Sequence, residues 1–166
     1  MRLYAFLFLC SFQTFAEVID LVLSVDIKKI NINKYSVSLL IDNDNINLDF
    51  DKKLEKFKEK TFRLSVISDV PDTTPTIENN YILTLSNNES YCTHPNSKDI
   101  VIKDFISLKV DGDKFDFGNS FESQLSQVNA DGNLFNSHTV TLESGKIEHE
   151  NLFCNGLISI DVELGL

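Results

Sequence analysis

Leu157-Ile-Ser-Ile-Asp-Val-Glu-Leu164 has the cleanest alternation of apolar and polar residues in this 166-residue chain. Apolar residues occupy the even positions from 158 to 164, and polar residues occupy the odd positions from 159 to 163. Successive side chains of an extended strand point to opposite faces. The pattern therefore predicts a strand with one face in a core and the other in water.

Similar segments recur along the chain, separated by clusters of Asn, Asp, Gly and Pro that are typical of turns. One of these clusters, Asp111-Gly-Asp113, predicts a tight turn between two strands. The single helix-like stretch is residues 51–60, where Leu54 and Phe57 lie three apart, and we interpret it as a solvated charged connection or a short helix, not as a binding patch. Many short alternating strands predict an all-β sandwich. The other predicted strands are residues 35–41, 46–50, 61–68, 81–86, 100–110, 121–128 and 134–142.

The N-terminus has the three parts of a secretory signal peptide. Arg2 supplies the positive charge, residues 3–10 the apolar segment, and Thr14-Phe-Ala16 the cleavage site. The apolar segment is far shorter than the roughly 20 residues of a transmembrane helix. Lipid modification of Cys10 is disfavoured because the bulky Leu9 precedes it. We therefore predict that residues 1–16 are a signal peptide and that the mature chain is exported.

The chain is acidic, with 15 Lys and Arg against 25 Asp and Glu and a formal net charge of −10. Removal of the signal peptide would take away only Arg2 among the charged residues. Such a balance argues against nucleic acid and anionic membranes as partners.

Two cysteines, Cys92 and Cys154, follow the signal peptide. An even pair in an exported domain predicts one disulfide, whereas the wide spacing and the lack of a CxxC motif disfavour a redox site or free thiols. A bond that closes a loop of about 60 residues would stabilise the fold by roughly 4 kcal/mol in the chain-entropy model.

No catalytic or metal-binding motif stands out. His94, His138 and His149 belong to separate polar segments, and Glu148-His149-Glu150 lacks the spacing of a metal site. A phosphate-binding glycine loop, a GxSxG elbow and an HExxH motif are all missing from the sequence. We predict that the protein is not an enzyme and that it holds no metal and no cofactor.

Directly behind the signal peptide lies Glu17-Val-Ile-Asp-Leu-Val-Leu-Ser-Val-Asp-Ile27, an alternating strand that we call the arm. Asp20, Ser24 and Asp26 form its polar face, which between these residues is interrupted only by Val22. An exported domain that begins with such a strand must bury it in its own sandwich or in a neighbour's. The apolar face of the arm consists of Ile19, Leu21, Leu23, Val25 and Ile27.

Five segments stand in an order and spacing that match a known family: Leu23-Ser-Val-Asp26, Lys60-Thr-Phe62, Tyr81-Ile-Leu-Thr-Leu85, Ile106-Ser-Leu-Lys-Val110 and the close from Asn155-Gly156 to Leu164-Gly165. Together they resemble the pilin subunits of the alternate chaperone–usher pathway, the class 5 or colonisation-factor fimbriae of enteric bacteria. Ile27 departs from this pattern where a proline is expected, and a cysteine pair is not typical of the major subunits.

The resemblance implies an immunoglobulin-like sandwich that lacks one strand and is completed by a donor strand from a neighbouring subunit. It implies residues 17–28 as the donor arm and residues 29–166 as the pilin domain of a surface fimbria used in adhesion. The implied partners are identical or related pilin subunits, a periplasmic chaperone, an outer-membrane usher and, beyond the fibre, a host-surface receptor. The alternative is a self-contained secreted β-sandwich, a sugar- or protein-binding module whose arm is its own first strand.

Overall fold

The computed structural model describes residues 18–24, 35–42, 45–74, 79–148 and 152–165. Thirteen β-strands and no α-helix occur in these residues. The strands are β1 (Val18–Ser24), β2 (Val37–Ile41), β3 (Asn45–Asp51), β4 (Lys56–Phe57), β5 (Lys60–Pro71), β6 (Asn80–Thr93), β7 (Ile100–Lys103), β8 (Ile106–Val110), β9 (Asp113–Phe115), β10 (Ser120–Gln124), β11 (Gln127–Val128), β12 (Asn133–Ser144) and β13 (Phe153–Leu164).

The strands form two sheets that pack face to face. Sheet A has the order β10-β6-β13-β1-β3-β4, with β7 added to β6, and sheet B has the order β2-β5-β12-β8-β9, with β11 added to β12. The inward residues of both sheets form one apolar core. The all-β sandwich that the sequence predicts is therefore confirmed. Among its most deeply buried side chains are Leu64, Val66, Leu83, Leu85, Val140, Leu142 and Ile158.

The alternating segment near the C-terminus is a strand, and it begins earlier than predicted. Ile158, Ile160 and Val162 are buried, and β13 extends back to Phe153, where it pairs with a β6 that reaches Thr93. A register shift between Ser159 and Ile160 marks a bulge in this pairing. Each of the two strands exceeds its predicted length because their pairing continues past the apolar segments.

Residues 51–60 do not form the short helix considered from the sequence. They form the turn between β3 and β4 and the start of β5, with Glu55 in the left-handed region at φ 53°. Phe57 is buried against Phe50 and Phe105, with ring centroids 5.0 and 6.0 Å away, whereas Leu54 is 57% exposed at the turn. Leu54 and Phe57 therefore do not share a helix face, because one is at the surface and the other is in the core.

The predicted strand at residues 100–110 is two strands in different sheets. β7 pairs with β6 in sheet A and β8 pairs with β12 in sheet B, and the chain crosses over at Asp104 with φ 52°. The predicted tight turn follows β8. Asp111 and Gly112, both with positive φ, form a two-residue hairpin loop, as type I′ turns require.

The two ends of the sandwich are distinct. At the hairpin end, Phe57 N donates to Ser144 Oγ, Ile147 N donates to the Glu55 carbonyl, and the chain crosses between the sheets before β8. At the arm end, so named because β2, the first described strand after the arm, begins there, Ser36 donates to Asp69 and Gly165 N donates to the Asn80 carbonyl.

Candidate functional site

The arm strand β1 occupies an internal position in sheet A. It pairs antiparallel with β3, from Val18↔Asp49 to Val22↔Asn45, and parallel with β13, from Asp20↔Asn155 to Ser24↔Ser159. Among the described strands, β1 is the one that joins the β3–β4 hairpin to the rest of sheet A. Without it, the facing edges of β3 and β13 would expose unpaired backbone groups and open the core between them. We call this position the slot.

The register aligns the arm's apolar positions with buried residues of the slot. Ile19 lies opposite Leu48, Leu21 opposite Ile46, and Leu23 opposite Ile158. Those three partners are between 0% and 3% exposed. The predicted donor-strand residues Val25 and Ile27 lie outside the described residues. In the isolated chain the slot is thus paired with the chain's own arm, and insertion into a neighbour stays a prediction.

Gly156 lies on β13, one of the two strands that border the slot. It lies between Cys154 and Ile158 on the core face of β13, and its register partner in β1 is Leu21. A glycine has no side chain, so β13 leaves the core face open at this position, next to residue 21 of the arm. The Asn155-Gly156 element of the sequence therefore has a direct structural role beside the arm.

The predicted disulfide is confirmed. Cys92 of β6 and Cys154 of β13 are direct register partners, with an S–S distance of 2.02 Å and a Cα–Cα distance of 4.0 Å. Both cysteines are buried. Because Asn155, the next residue, pairs with Asp20 of β1, the bond fixes one wall of the slot to its neighbouring strand.

We expect no free thiol in protein purified from an oxidising compartment. Intact-mass analysis after alkylation without reduction should show no alkylated cysteine in the mature chain, and reduction in denaturant should then expose two. The Cys92→Ala/Cys154→Ala variant should lose roughly 4 kcal/mol of unfolding free energy, since its unfolded chain is no longer cross-linked. Two alkylated cysteines without prior reduction would contradict the bond.

A polar network crosses the core between the sheets. His138 of β12 is 4% exposed, and its Nδ1 lies 2.6 Å from Oδ2 of Asp111, while its Nε2 contacts the hydroxyl of Tyr81 in β6. A carboxylate only accepts hydrogen bonds, so Nδ1 carries the donated proton. Asn136 Nδ2 donates to the same Tyr81 oxygen at 3.0 Å, and Thr139 N donates to Asp111 Oδ1 at 2.8 Å. Every member is therefore hydrogen-bonded.

The hydrogen-bonded His138, Asp111 and Tyr81 resemble the proton-transfer residues of a catalytic site, but a substrate could not reach them. Tyr81 is fully buried, and burial raises its pKa, so its hydroxyl stays protonated and out of reach of a substrate. His94 lies in another segment, and His149 is outside the described residues. No group of three or more potential metal-ligating side chains occurs in the described part of the chain. The arrangement is suited to holding the two sheets together.

The network predicts a loss of stability in acid. Burial acts to raise the pKa of Asp111, but the hydrogen bonds from His138 and Thr139 outweigh it and hold that pKa below its ordinary value of 3.8. The unfolded chain therefore binds the proton more readily, so this contribution is present above pH 3.8 and disappears as the pH falls through the folded-state pKa. Asp111→Asn should cost about 1–3 kcal/mol at neutral pH and should flatten the acid limb of stability against pH, measured by urea unfolding. An acid limb as steep as in the wild type would contradict the role of Asp111.

The comparison with solved structures gives a likeness of fold. No protein-family model matches the chain, and no curated protein is significantly similar to it. The chain is similar to the CooA pilin subunit from enterotoxigenic Escherichia coli, with a TM-score of 0.48 and 9% sequence identity over 75% of this chain and 96% of that chain. Within the described residues, no helix is long and apolar enough to cross a membrane. A likeness at this level carries no argument about function, which must come from the chain's own residues.

Proposed function

We propose that the chain is a structural subunit of a surface fimbria, which polymerises when the arm of one subunit fills the slot of the next. The observation that carries the proposal is the position of β1. β1, which lies at the predicted start of the mature chain, is an internal strand of sheet A between two strands that have no other described link. A strand supplied from a chain terminus is the kind that neighbouring subunits can exchange at low cost.

The same arm can fill a slot in either direction. The side-chain alternation has a period of two, so residues 19, 21, 23, 25 and 27 share one face whichever way the strand runs. In its own slot, β1 runs from the hairpin end towards the arm end, parallel to β13. In a row of subunits stacked arm end to hairpin end, the arm would enter the neighbour from its hairpin end and run antiparallel to β13.

Head-to-tail insertion of this kind is a heterologous contact that does not close on itself, so it builds a filament. Five aliphatic side chains at about 1.5–3 kcal/mol each would contribute roughly 7–15 kcal/mol of burial before ordering costs. A subunit whose own arm has left the slot exposes that slot until the next arm arrives, and a periplasmic chaperone and an outer-membrane usher are the partners we propose for export. The fibre would lie outside the cell, where a host-surface receptor is a further partner.

One observation favours the alternative function, a self-contained secreted binding module. In the single chain the arm pairs with the chain's own β3 and β13, and this pairing alone would complete the sandwich. In a fimbrial subunit a neighbouring copy supplies the strand in the slot, whereas in a binding module the chain's own arm supplies it. A domain completed by its own arm is not expected to polymerise.

Electron microscopy of the purified mature protein separates the two. We expect filaments from the chain that begins at residue 17 and none from the chain that begins at residue 28. Gels run without boiling should show a ladder of oligomers for the first protein only. Wild-type protein that stays monomeric at high concentration would contradict the fimbrial function and support the binding module.

A further inference from the structure

The hairpin end carries a concentration of lysines that is unusual for so acidic a chain. Residues 51–60 hold five lysines and three acidic residues, a local net charge of +2, whereas the whole chain has a net charge of −10. Four of the lysine side chains are exposed, and Leu54, 57% exposed, stands among them at the turn. We call residues 51–60 the lysine hairpin; its lysines are Lys52, Lys53, Lys56, Lys58 and Lys60.

Two of the three acidic residues of the lysine hairpin already have partners. Asp51 Oδ1 accepts the backbone N–H groups of Lys53 and Leu54 at 2.9 and 3.2 Å, which holds the turn. Glu55 pairs with Lys146 at 2.6 Å. Lys52 and Lys53, at the tip, form no ion pair with any described residue. Lys58 lies 3.9 Å from Asp49, so the positive charge without an ion-pair partner is that of the tip.

The described residues of the arm end have the opposite charge; Lys28, Lys29 and Lys34, which precede Tyr35 in the sequence, lie outside them. The described residues of this end, 68–73, 79–82, 122–136 and 161–165, include no lysine and no arginine. Asp69 is held in place there, because it accepts hydrogen bonds from both N and Oγ of Ser36 at 2.6 and 2.7 Å. The exposed acidic residues of this end are Asp69, Asp72, Glu122, Asp131 and Glu163.

We propose that the lysine hairpin of one copy docks on the acidic arm end of the next copy and so guides the arm into the slot. The direction of docking rests on the proposed function. β2, the first described strand after the arm, begins at the arm end, so an arm extended from it would leave the domain there and enter the neighbour at its hairpin end. The occupant is a second copy of this chain, since the complementary charge lies on the chain itself. Complementary charged surfaces raise association rates by about 10- to 1,000-fold at low salt, and the effect is screened as salt rises.

Charge reversal tests the docking in the full mature chain. Lys52→Glu/Lys53→Glu should slow filament growth, followed by light scattering, by about tenfold or more at low salt, with the difference lost near 0.5 M salt. Asp72→Lys/Asp131→Lys should slow it similarly, and a chain with all four changes should regain most of the rate. The matched control, Arg63→Glu/Lys114→Glu, makes the same change in net charge on the exposed flank of sheet B and should leave the rate within about twofold. Equal slowing by the control, or no rescue by the four-change chain, would overturn the proposal.

Carbodiimide coupling gives a direct readout, because it joins a lysine to a carboxylate only where the two touch. Peptides that link the lysine hairpin to Asp69, Asp72 or Asp131 should appear in the assembled protein. They cannot form within one copy, since the 12-residue strand β5 separates the two ends by about 40 Å. Assembled wild type without such peptides would overturn the docking. So would a hairpin that binds anionic vesicles or polysaccharide more tightly than it binds a second copy.

The docking can fail or hold independently of strand exchange. The Leu23→Asp chain, in which exchange should be blocked, is studied with its slot filled by a synthetic peptide of residues 17–27. It is expected to keep a weak, salt-sensitive self-association in sedimentation experiments. Adding Lys52→Glu/Lys53→Glu to it should remove that association. If the wild type forms no filaments, the proposed function fails alone; if the Leu23→Asp chain shows no salt-sensitive self-association, the docking fails alone.

Discussion

Leu23→Asp is expected to abolish the oligomer ladder and leave a folded monomer that a chaperone can still hold. Leu23 is central in the arm, and its register partner Ile158 is fully buried. An aspartate in an apolar pocket must be buried without a partner or leave the slot. A penalty of about 4 kcal/mol, typical for an unpaired buried charge, corresponds to roughly a thousandfold loss of affinity.

Val22→Asp is the matched control, since it adds the same charge one position away. Residue 22 falls on the polar face of the arm, between Asp20 and Ser24. We expect this variant to form the wild-type ladder in gels run without boiling. Equal loss of oligomers in both variants would mean that added charge, not the buried face, is responsible. A normal ladder from Leu23→Asp would rule out the arm as the donor strand.

Local pattern was enough to predict much of the fold. The alternation at residues 157–164 predicts β13 because one face of that strand is in the core and the other is not. Asp111-Gly112 predicts its turn because type I′ loops need positive φ at both positions, and the disulfide follows from an even count of cysteines in an exported chain. In each case the deciding physics acts over a few residues or over the composition of the whole chain.

The lysine hairpin shows where local pattern is insufficient. The three-residue spacing of Leu54 and Phe57 fits one face of a helix. In the structure, however, Phe57 packs in the core against Phe50 and Phe105, while Leu54 is exposed at the turn. Phe105 is far away in sequence, so no window around residue 57 contains the contact that decides the structure. Tertiary packing overrides weak helical propensity in short segments.

The polar network was missed for a related reason, although a signal was present. His138 shares its alternation phase with Leu134, Val140 and Leu142, which marks it as an inward residue of β12. Its partners Asp111 and Tyr81 lie on a turn and on another strand, and only the packing of the two sheets brings them to it.

The sequence also does not determine which copy's arm occupies the slot. Because the arm presents the same face in either direction, one copy of the sequence does not determine whose slot it fills.

Removal of the arm should produce the second large effect, and a peptide should reverse it. A chain that begins at residue 28 loses both ladders of β1, and with them the link between β3 and β13. We expect it to aggregate or to melt at a much lower temperature when refolded alone. A synthetic peptide of residues 17–27, at a hundredfold excess over its Kd, should add about 2.7 kcal/mol and so raise Tm by about 5–10 °C.

The peptide also separates the two origins of the strand. The Leu23→Asp peptide should give no rise in Tm, while the Val22→Asp peptide should act like the wild type. Added to the full mature chain, the wild-type peptide should compete for slots and shorten the filaments, because it fills a slot without bringing a further subunit. An arm-deleted chain that folds stably alone and ignores the peptide would show that the slot needs no strand. A full mature chain that stays monomeric, with an arm-deleted chain that the peptide restores, would show instead that the arm completes its own sandwich.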